Sequence, residues 1–352
     1  MIKNKNGIWV FLDNEGPCTL NDNAQETTVA LTKLRGFGED VGINFYRNVS
    51  NIDDIWGDFH RIAKDPAYSS GHTLKVILPF IKAMGATEKW LCQFARESLR
   101  VVPNIQTVMP SLDSKFNVWQ ISTSYEFFIK TFCGLVGFDF KKARCTRVEG
   151  FDEVRVTLEE SASLIGFMLE ISAMPVIQYD QKTGEVIPEH QPYYERLTQI
   201  IWEDVWNMRV GQFLRNVHPV GQAQKREAVE RICQEFNVPL EQTMYVGDSQ
   251  TDLQCVELLR GKGLTMMFNG KGKVCGISDL MYIGEDARAI EEVADKFAEL
   301  GREGILCYYS PSREAECGGL IAAVTPEHID YLHELSVKKR KEFRGVHIGA
   351  LT

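Results

Sequence analysis

Four carboxylate side chains follow two apolar segments that lie far apart in the sequence. Asp13 and Glu15 come directly after an unbroken apolar run, and Asp248 and Asp252 follow a second short run that ends in glycine. Such runs are typical of strands that are buried on both faces of a parallel sheet. Ligands of open α/β sheets bind beyond the carboxyl ends of the strands. If the two strands are neighbours, three of these carboxylates converge at one edge of the sheet.

A cation would make that convergence favourable. Carboxylates packed closely repel one another unless a positive charge lies between them. A cluster of oxygen ligands is the environment that Mg²⁺ prefers. Asp248 and Asp252 are spaced i,i+4 at a probable helix start, so their side chains lie on one face. The sequence therefore predicts a Mg²⁺ site that includes Asp13, Asp248 and Asp252.

The order of the motifs along the chain resembles the haloacid-dehalogenase (HAD) superfamily of aspartate-nucleophile phosphohydrolases. Asp13–Gly16 resembles the first motif, Asp-x-Asp-Gly, and Ser122 the second; Lys225 resembles the third and Gly247–Asp252 the fourth. The local match is closest to phosphoserine phosphatase-like members. The resemblance covers roughly residues 7–20, 116–130 and 221–285.

This resemblance implies a mechanism with a covalent intermediate. Asp13 would attack phosphorus, and Glu15 would protonate the leaving oxygen and then activate water. Ser122 and Thr123 would bind phosphate oxygens, although a Ser-Thr-Ser turn is otherwise an ordinary helix cap. Lys225 would supply positive charge between the nucleophile and the phosphate.

The resemblance also implies a set of metal ligands. Mg²⁺ would be held by Asp13, the backbone carbonyl of Glu15 and Asp248, with Asp252 as a ligand or a support. Glu15 stands where the family pattern has Asp, which puts the rate of turnover in question. Asp22 lies at the offset where phosphoserine phosphatases place a residue that binds the substrate amine. The residues around Asp22 are typical of a loop and a helix start, which favours a helix N-cap instead.

The residues around Lys225 predict an amphipathic helix over 223–236. Lys225 lies one turn before Val229 on the apolar stripe. A lysine near a helix N-terminus opposes the helix dipole, so it fits best beside fixed anions. The alternative is a lysine whose stem packs on the protein while its charge reaches solvent.

The fold class expected is α/β, a doubly wound Rossmann-like parallel sheet (HAD-like core) with a helical cap and a second helical insert. Residues 1–20 and 105–352 are assigned to the core, and residues 21–104 to the cap. The insert lies at about 150–215 within the core segment and is interpreted as an elaboration of the cap or an oligomer interface, so a homo-oligomer is one expectation. A capping box at Thr157–Glu160 predicts a helix to about Ala173.

Several further elements are predicted from periodicity. Residues 193–213 read as one long helix, residues 264–268 and 280–283 as strands, and residues 288–300 as a helix. Residues 306–309 and 320–323 are interpreted as further strands. Thr325-Pro326-Glu327 is expected to open the last helix, whose basic run Lys338–Lys341 is expected to face solvent.

Composition limits the partners. A net charge of −9 argues against nucleic acid, and no run approaches the roughly 18 apolar residues that cross a bilayer. Nine cysteines without a CxxC pair favour reduced thiols in a cytoplasmic protein. The function expected is a Mg²⁺-dependent phosphatase acting on a small phosphorylated metabolite. Two alternatives stay open, namely a phosphotransferase or phosphomutase and a catalytically weakened HAD-like subunit or regulator.

Overall fold

The centre of the structure is the strand that leads into Asp13. The computed structural model describes residues 7–345 except His60 and Ala63. In this part of the chain eight strands form one sheet in the order β3-β2-β1-β4-β5-β6-β8-β7; the first six of these are parallel, and β8 and β7 are antiparallel additions. The strands are β1 Trp9–Leu12, β2 Asn117–Tyr125, β3 Ala143–Thr146, β4 Thr243–Gly247, β5 Leu264–Phe268, β6 Leu280–Ile283, β7 Ser312–Glu314 and β8 Leu320–Ala323.

Helices cover both faces of this sheet and form a layer above one edge. They are α1 Asn23–Leu34, α2 Glu39–Asp58, α3 Thr73–Ala83, α4 Glu88–Ser98, α5 Ile105–Lys115, α6 Glu126–Val136, α7 Leu158–Ser172, α8 Gln191–Gln199, α9 Gln212–Asn216, α10 Gln222–Glu235, α11 Leu253–Leu259, α12 Arg288–Tyr308 and α13 Ile329–Arg344. A π-helical turn, Ile200–Val205, follows α8.

Strand β1 shows why the sheet is covered on both sides. Its side chains alternate between two apolar cores, since successive residues of a strand point to opposite faces. Trp9 and Phe11 pack in a core that α10 and α11 complete, whereas Val10 and Leu12 pack in a core that includes α5, α6 and α12. The α/β fold class with a mainly parallel sheet, predicted from the sequence, is therefore confirmed.

The segment between β1 and β2 is helical, as expected for a cap. Its helices α1–α3 share one apolar core with α7, α8 and the π-helical turn of the insert. Trp56 of α2 contacts Trp202 of the insert, with ring centroids 5.6 Å apart. Asn48 of α2 donates hydrogen bonds to the carbonyls of Ile171 and Met174, at 2.8 and 3.0 Å. This packing favours the interpretation of the insert as an elaboration of the cap, while the division into domains and an oligomer stay predictions.

The strands at 264–268, 280–283 and 320–323 and the capping box at Thr157 are confirmed. Three local predictions are wrong. Residues 306–309 lie mostly in α12, which continues through a kink at Gly301 because its apolar residues, such as Ile305, are buried. Residues 193–213 do not form one helix, since a turn at 208–211 separates α9. The last helix begins at Ile329 rather than at the Thr-Pro-Glu segment.

Candidate active site

The sheet brings the predicted carboxylates together. Asp13 follows β1, and its backbone N–H donates to the carbonyl of Val246 in the neighbouring strand β4, at 2.9 Å. Asp248 follows β4, and Asp252 lies just before α11. Oxygens of Asp13, Asp248 and Asp252 lie within 4.8 Å of one another, and all three residues are buried. The cluster arises because β1 and β4 are parallel neighbours and both end at the same edge.

Lys225 of α10 enters this cluster from beside the sheet. Its side chain is 0% exposed, and its Nζ lies 2.6 Å from Asp13 Oδ2 and 2.8 Å from Asp252 Oδ1. Burial alone would lower the pKa of Lys225, but the two adjacent carboxylates outweigh it and hold the pKa above its ordinary value. Lys225 is therefore a fixed cation beside Asp13, as predicted from its position on the helix.

Asp252 is held by hydrogen bonds on both carboxylate oxygens. Oδ1 accepts from Lys225 and from the Tyr245 hydroxyl, at 2.8 and 2.7 Å. Oδ2 accepts from the backbone N–H groups of Asp248 and Ser249, at 2.9 and 3.0 Å. Four donors occupy its main acceptor positions. This arrangement favours Asp252 as a support that orients Lys225 and the turn after β4.

Two arginines of the last helix contact Asp248: Arg340, which the sequence prediction placed at the surface, and Arg344, on which it made no statement. Arg340 and Arg344 of α13 both donate to Asp248 Oδ2, and the Arg344 Nη1–Oδ2 distance is 2.8 Å. Burial raises the pKa of Asp248, but the two guanidinium groups outweigh it and hold the pKa below its usual range. The expectation that the basic run 338–341 faces solvent is wrong for Arg340, which is 4% exposed.

A sequence signal for these arginines exists. The four residues that α13 buries are spaced i,i+4 along one face: Leu332, Ser336, Arg340 and Arg344. An apolar residue at the start of that stripe marks it as the inward face. Lys338, Lys339 and Lys341 lie off this stripe. The composition of the basic run therefore predicted exposure for all four residues, including the buried Arg340.

Glu15 is turned toward the start of the cap. Its Oε1 accepts from the backbone N–H of Asn23 at 2.9 Å and from the Asn23 side chain. Burial, with a contribution from the nearby Asp22, raises the pKa of Glu15 to about 7. Asp22 is the N-cap of α1, because its Oδ1 accepts from the backbone N–H of Gln25 at 3.0 Å. Asp22 also accepts from the Tyr46 hydroxyl of the cap, at 3.1 Å.

The second motif differs in detail from the prediction. Strand β2 continues past Ser122 to Tyr125, so Ser122 does not end a strand. Ser122 is 1% exposed, and its Oγ accepts from the backbone N–H of Ser124 at 3.2 Å. Thr123 and Ser124, by contrast, line the cavity beside Asp13. The Thr123 hydroxyl has no hydrogen-bond partner among the described residues.

A cavity of about 490 Å³ lies between the edge of the sheet and the cap. Its floor carries Asp13, Asp248 and the two arginines of α13, and its roof is formed largely by α2. Further lining residues are Glu15, Asp22, Tyr46, Arg47, Asn51, Asp53, Asp54, Thr123 and Lys271. A cavity of this volume suits a small ligand.

The donor atoms fit a hard divalent cation. Asp13 and Asp248 offer carboxylate oxygens at the floor of the cavity, and oxygen ligands are what Mg²⁺ takes. Gly16 comes close to this point, since a Cβ there would lie 2.3 Å from Asp248 Cγ. Asp13 and Asp248 are therefore carboxylates that would hold such a cation, and the part of the Glu15 carbonyl stays a prediction from the family resemblance.

Comparison with known proteins places the fold. No family model matches the chain, and no curated protein matches it in sequence. The gene product AF1437 from Archaeoglobus fulgidus matches over 97% of both chains, with a TM-score of 0.78 and 23% identity. The chain shares that fold.

Phosphoserine phosphatases are more distant neighbours. An apo-form structure matches at a TM-score of 0.44 and 15% identity, over 81% of this chain and 98% of that one. A structure described as a phospho-aspartyl intermediate analogue of phosphoserine phosphatase has a TM-score of 0.44 and 13% identity, over 81% and 97%. At these values the likeness is too distant to assign a role to any residue.

Within the described residues, no helix has the length and apolar character needed to cross a membrane.

Proposed function

We propose that this chain is a HAD-type phosphohydrolase that cleaves a small phosphoric monoester through an aspartyl-phosphate on Asp13. The observation that carries the proposal is the placement of Asp13, whose buried carboxylate lies 2.6 Å from Lys225 at the floor of a cavity. A carboxylate held beside a fixed cation can approach a phosphate dianion without prohibitive repulsion.

Each neighbour of Asp13 has a task in this mechanism. Lys225 holds the nucleophile and stabilises charge that develops on the phosphoryl oxygens. Asp252 orients Lys225. Thr123 lines the cavity, and its hydroxyl has no hydrogen-bond partner within the described part of the chain, which supports it as a candidate that binds a phosphoryl oxygen.

Mg²⁺, when bound by Asp13, Asp248 and the carbonyl of Glu15, would supply positive charge to the phosphoryl group. The Glu15 carboxyl is the candidate proton donor to the leaving oxygen. Its side chain is one methylene longer than that of Asp, and this length affects the efficiency of the proton transfer. The cap and the cavity volume support a small phosphorylated metabolite over a phosphoprotein. The cytoplasmic location remains a prediction from cysteine usage.

Release of phosphate from a generic aryl phosphate tests this proposal. Wild type should release phosphate faster with Mg²⁺ than with a chelator, and Asp13→Asn should lower turnover by orders of magnitude while the fold is kept. Asp295→Asn is a matched control, because Asp295 is 46% exposed on α12 and pairs with Lys115 at the surface. Equal rates for Asp13→Asn and wild type would rule out the covalent mechanism.

The charges of the cluster support a second candidate, a HAD-like subunit or regulator with weak turnover. Three carboxylates at the site directly contact three cationic side chains, Lys225, Arg340 and Arg344. The protein itself thus supplies positive charge beside these carboxylates, and Mg²⁺ binding stays a prediction. Phosphate binding without phosphate release from any ester would favour this candidate. A phosphotransferase is separated from a hydrolase by assays with added acceptor alcohols.

A further inference from the structure

Arg340 and Arg344 of α13 are buried at the site, unlike the partners of a surface ion pair. Arg340 and Arg344 are separated by one helical turn, and their side chains are 5% and 4% exposed. They stand 92 and 96 residues after Asp248, the carboxylate that they share. Burying two guanidinium groups is unfavourable unless each finds partners.

Arg344 is fixed in place by the backbone. Its Nη2 donates to the carbonyl of Asn21 at 2.6 Å, and its Nε donates to the carbonyl of Leu20 at 3.2 Å. These carbonyls belong to the loop that follows β1, so the guanidinium is oriented at the floor of the cavity before any ligand arrives. Pre-oriented donors of this kind lose little entropy on binding an anion.

Arg340 keeps unused donor capacity. Its Nη1 donates to Asp248 Oδ2 and lies 3.4 Å from the carbonyl of Asn269, while its Nε has no hydrogen-bond partner among the described residues. A guanidinium has five N–H donors, and each arginine donates one hydrogen bond to the same oxygen of Asp248. The pair therefore carries more positive charge and more donors than Asp248 can satisfy.

These observations concern the site of the proposed function, and the inference rests on it. We propose that Arg340 and Arg344 are phosphate-binding residues that engage the phosphoryl oxygens of the substrate beside Asp13. The planar guanidinium group matches two phosphate oxygens at once, which an ammonium group does not. Both arginines line the cavity with Asp13, and their shared partner Asp248 has an oxygen within 4.8 Å of the Asp13 carboxylate.

The shared contact with Asp248 adds a second feature. Asp248 is also the carboxylate that would bind a divalent cation, so the arginines compete with that cation for the same oxygen. An incoming phosphate offers the arginines a replacement partner. Removing the arginines should therefore weaken phosphate binding and at the same time strengthen cation binding.

Calorimetric titration of the purified full chain separates these two effects. We expect Arg340→Met to weaken the binding of inorganic phosphate at saturating Mg²⁺ by about 10- to 100-fold, the value of one hydrogen bond to a charged group. The affinity for Mg²⁺ without phosphate should rise. Lys339→Met is the matched control on the same helix, because Lys339 is 31% exposed and pairs with Glu285 on the surface; it should change neither affinity.

Arg340→Lys guards against a variant that does not fold. It keeps the charge that faces Asp248 but lacks the planar pair of donors, so it should fold and still bind phosphate more weakly than wild type. Wild-type phosphate affinity in both variants would overturn the proposal, even if Mg²⁺ binding changes. Loss of Mg²⁺ binding with phosphate binding kept would show that the arginines only position Asp248. If wild type itself binds no phosphate, the proposed function fails together with this inference.

Discussion

Replacement of Lys225 by methionine tests the electrostatic design of the site without reference to catalysis. Lys225 is fully buried, and its ammonium contacts Asp13 at 2.6 Å and Asp252 at 2.8 Å. Methionine keeps much of the side-chain length and removes the charge. Because breaking a buried ion pair leaves an uncompensated buried charge, the expected loss in the free energy of unfolding is about 3–5 kcal/mol.

The surrounding hydrogen bonds decide where in that range the loss should fall. Asp252 would keep the Tyr245 hydroxyl and two backbone donors, so its charge would remain partly stabilised. Among the described residues, the donor that Asp13 would keep on its carboxylate is the backbone N–H of Asn14, at 2.7 Å. The Cys18 thiol contacts the backbone carbonyl of Asp13 and does not stabilise the carboxylate. The cost of Lys225→Met should thus come mainly from Asp13.

Urea unfolding in the presence of a chelator measures this loss. The matched control is Arg226→Met, the next residue of α10, whose ion pair with Glu230 is 42% and 36% exposed. Exposed pairs of this kind contribute at most about 1 kcal/mol. The double variant Lys225→Met/Asp13→Asn removes both charges and should be more stable than Lys225→Met alone. If Lys225→Met costs no more than Arg226→Met, the account of a buried, mutually dependent charge cluster is wrong.

Three further perturbations address individual residues of the site and the cap. Glu15→Asp shortens the candidate proton donor to the family pattern, and we expect a several-fold higher rate on small aryl phosphates; a lower rate would show a site adapted to Glu15. Gly16→Ala would place a Cβ 2.3 Å from Asp248 Cγ at a φ of +99°, so thermal unfolding should show a loss of about 1–3 kcal/mol. Gly318→Ala, at a φ of +87° with no atom within 4 Å, isolates the backbone share of that loss. Burial raises the pKa of Asp53 from 3.8 to about 7, so the folded chain keeps a proton that the unfolded chain releases, and the free energy of unfolding should fall as pH rises between these values. Asp53→Asn should reduce this pH dependence in a series of urea titrations. An unchanged pH dependence would show that Asp53 is not its source.

Local sequence patterns were sufficient for the core of the fold. The apolar runs before Asp13 and Asp248 predicted two buried parallel strands, because strands covered on both faces lack polar alternation. The position of Lys225 on the inward stripe of its helix predicted a buried cation. The inference about the strands needed only the apolar runs and the rule that parallel strands end at a common edge. The inference about Lys225 also needed its position before the motif that contains Asp248, because periodicity alone leaves a solvated lysine open.

The parts that the sequence did not reveal depend on contacts between distant segments. The basic run 338–341 is a solvated surface by composition, and only the docking of α13 turns Arg340 toward Asp248. The extension of β2 beyond Ser122 likewise depends on pairing with β3, whose register shifts between Ile121 and Tyr125. The i,i+4 spacing in α13 marks Arg340 as an inward-facing position, but it does not show that the partner is Asp248. That partner, like the extension of β2, depends on segments that lie outside a window of ten or fifteen residues.

The last helix of the described residues contacts the loop after β1 at this site, and this long-range contact affects how the site forms during folding. Arg344 donates to the carbonyls of Leu20 and Asn21 and to the carboxylate of Asp248, so one side chain joins the loop after β1, the turn after β4 and the last helix. Contacts between residues that are more than 300 positions apart must overcome a large loop-closure entropy before they contribute. Asp248 therefore gains its guanidinium partners only when α13 has docked, whereas Asp13 and Asp252 are paired with Lys225 of α10. Before that step Asp248 lacks both guanidinium partners, which makes the docking of α13 favourable and ties an intact cavity floor to the completely folded chain.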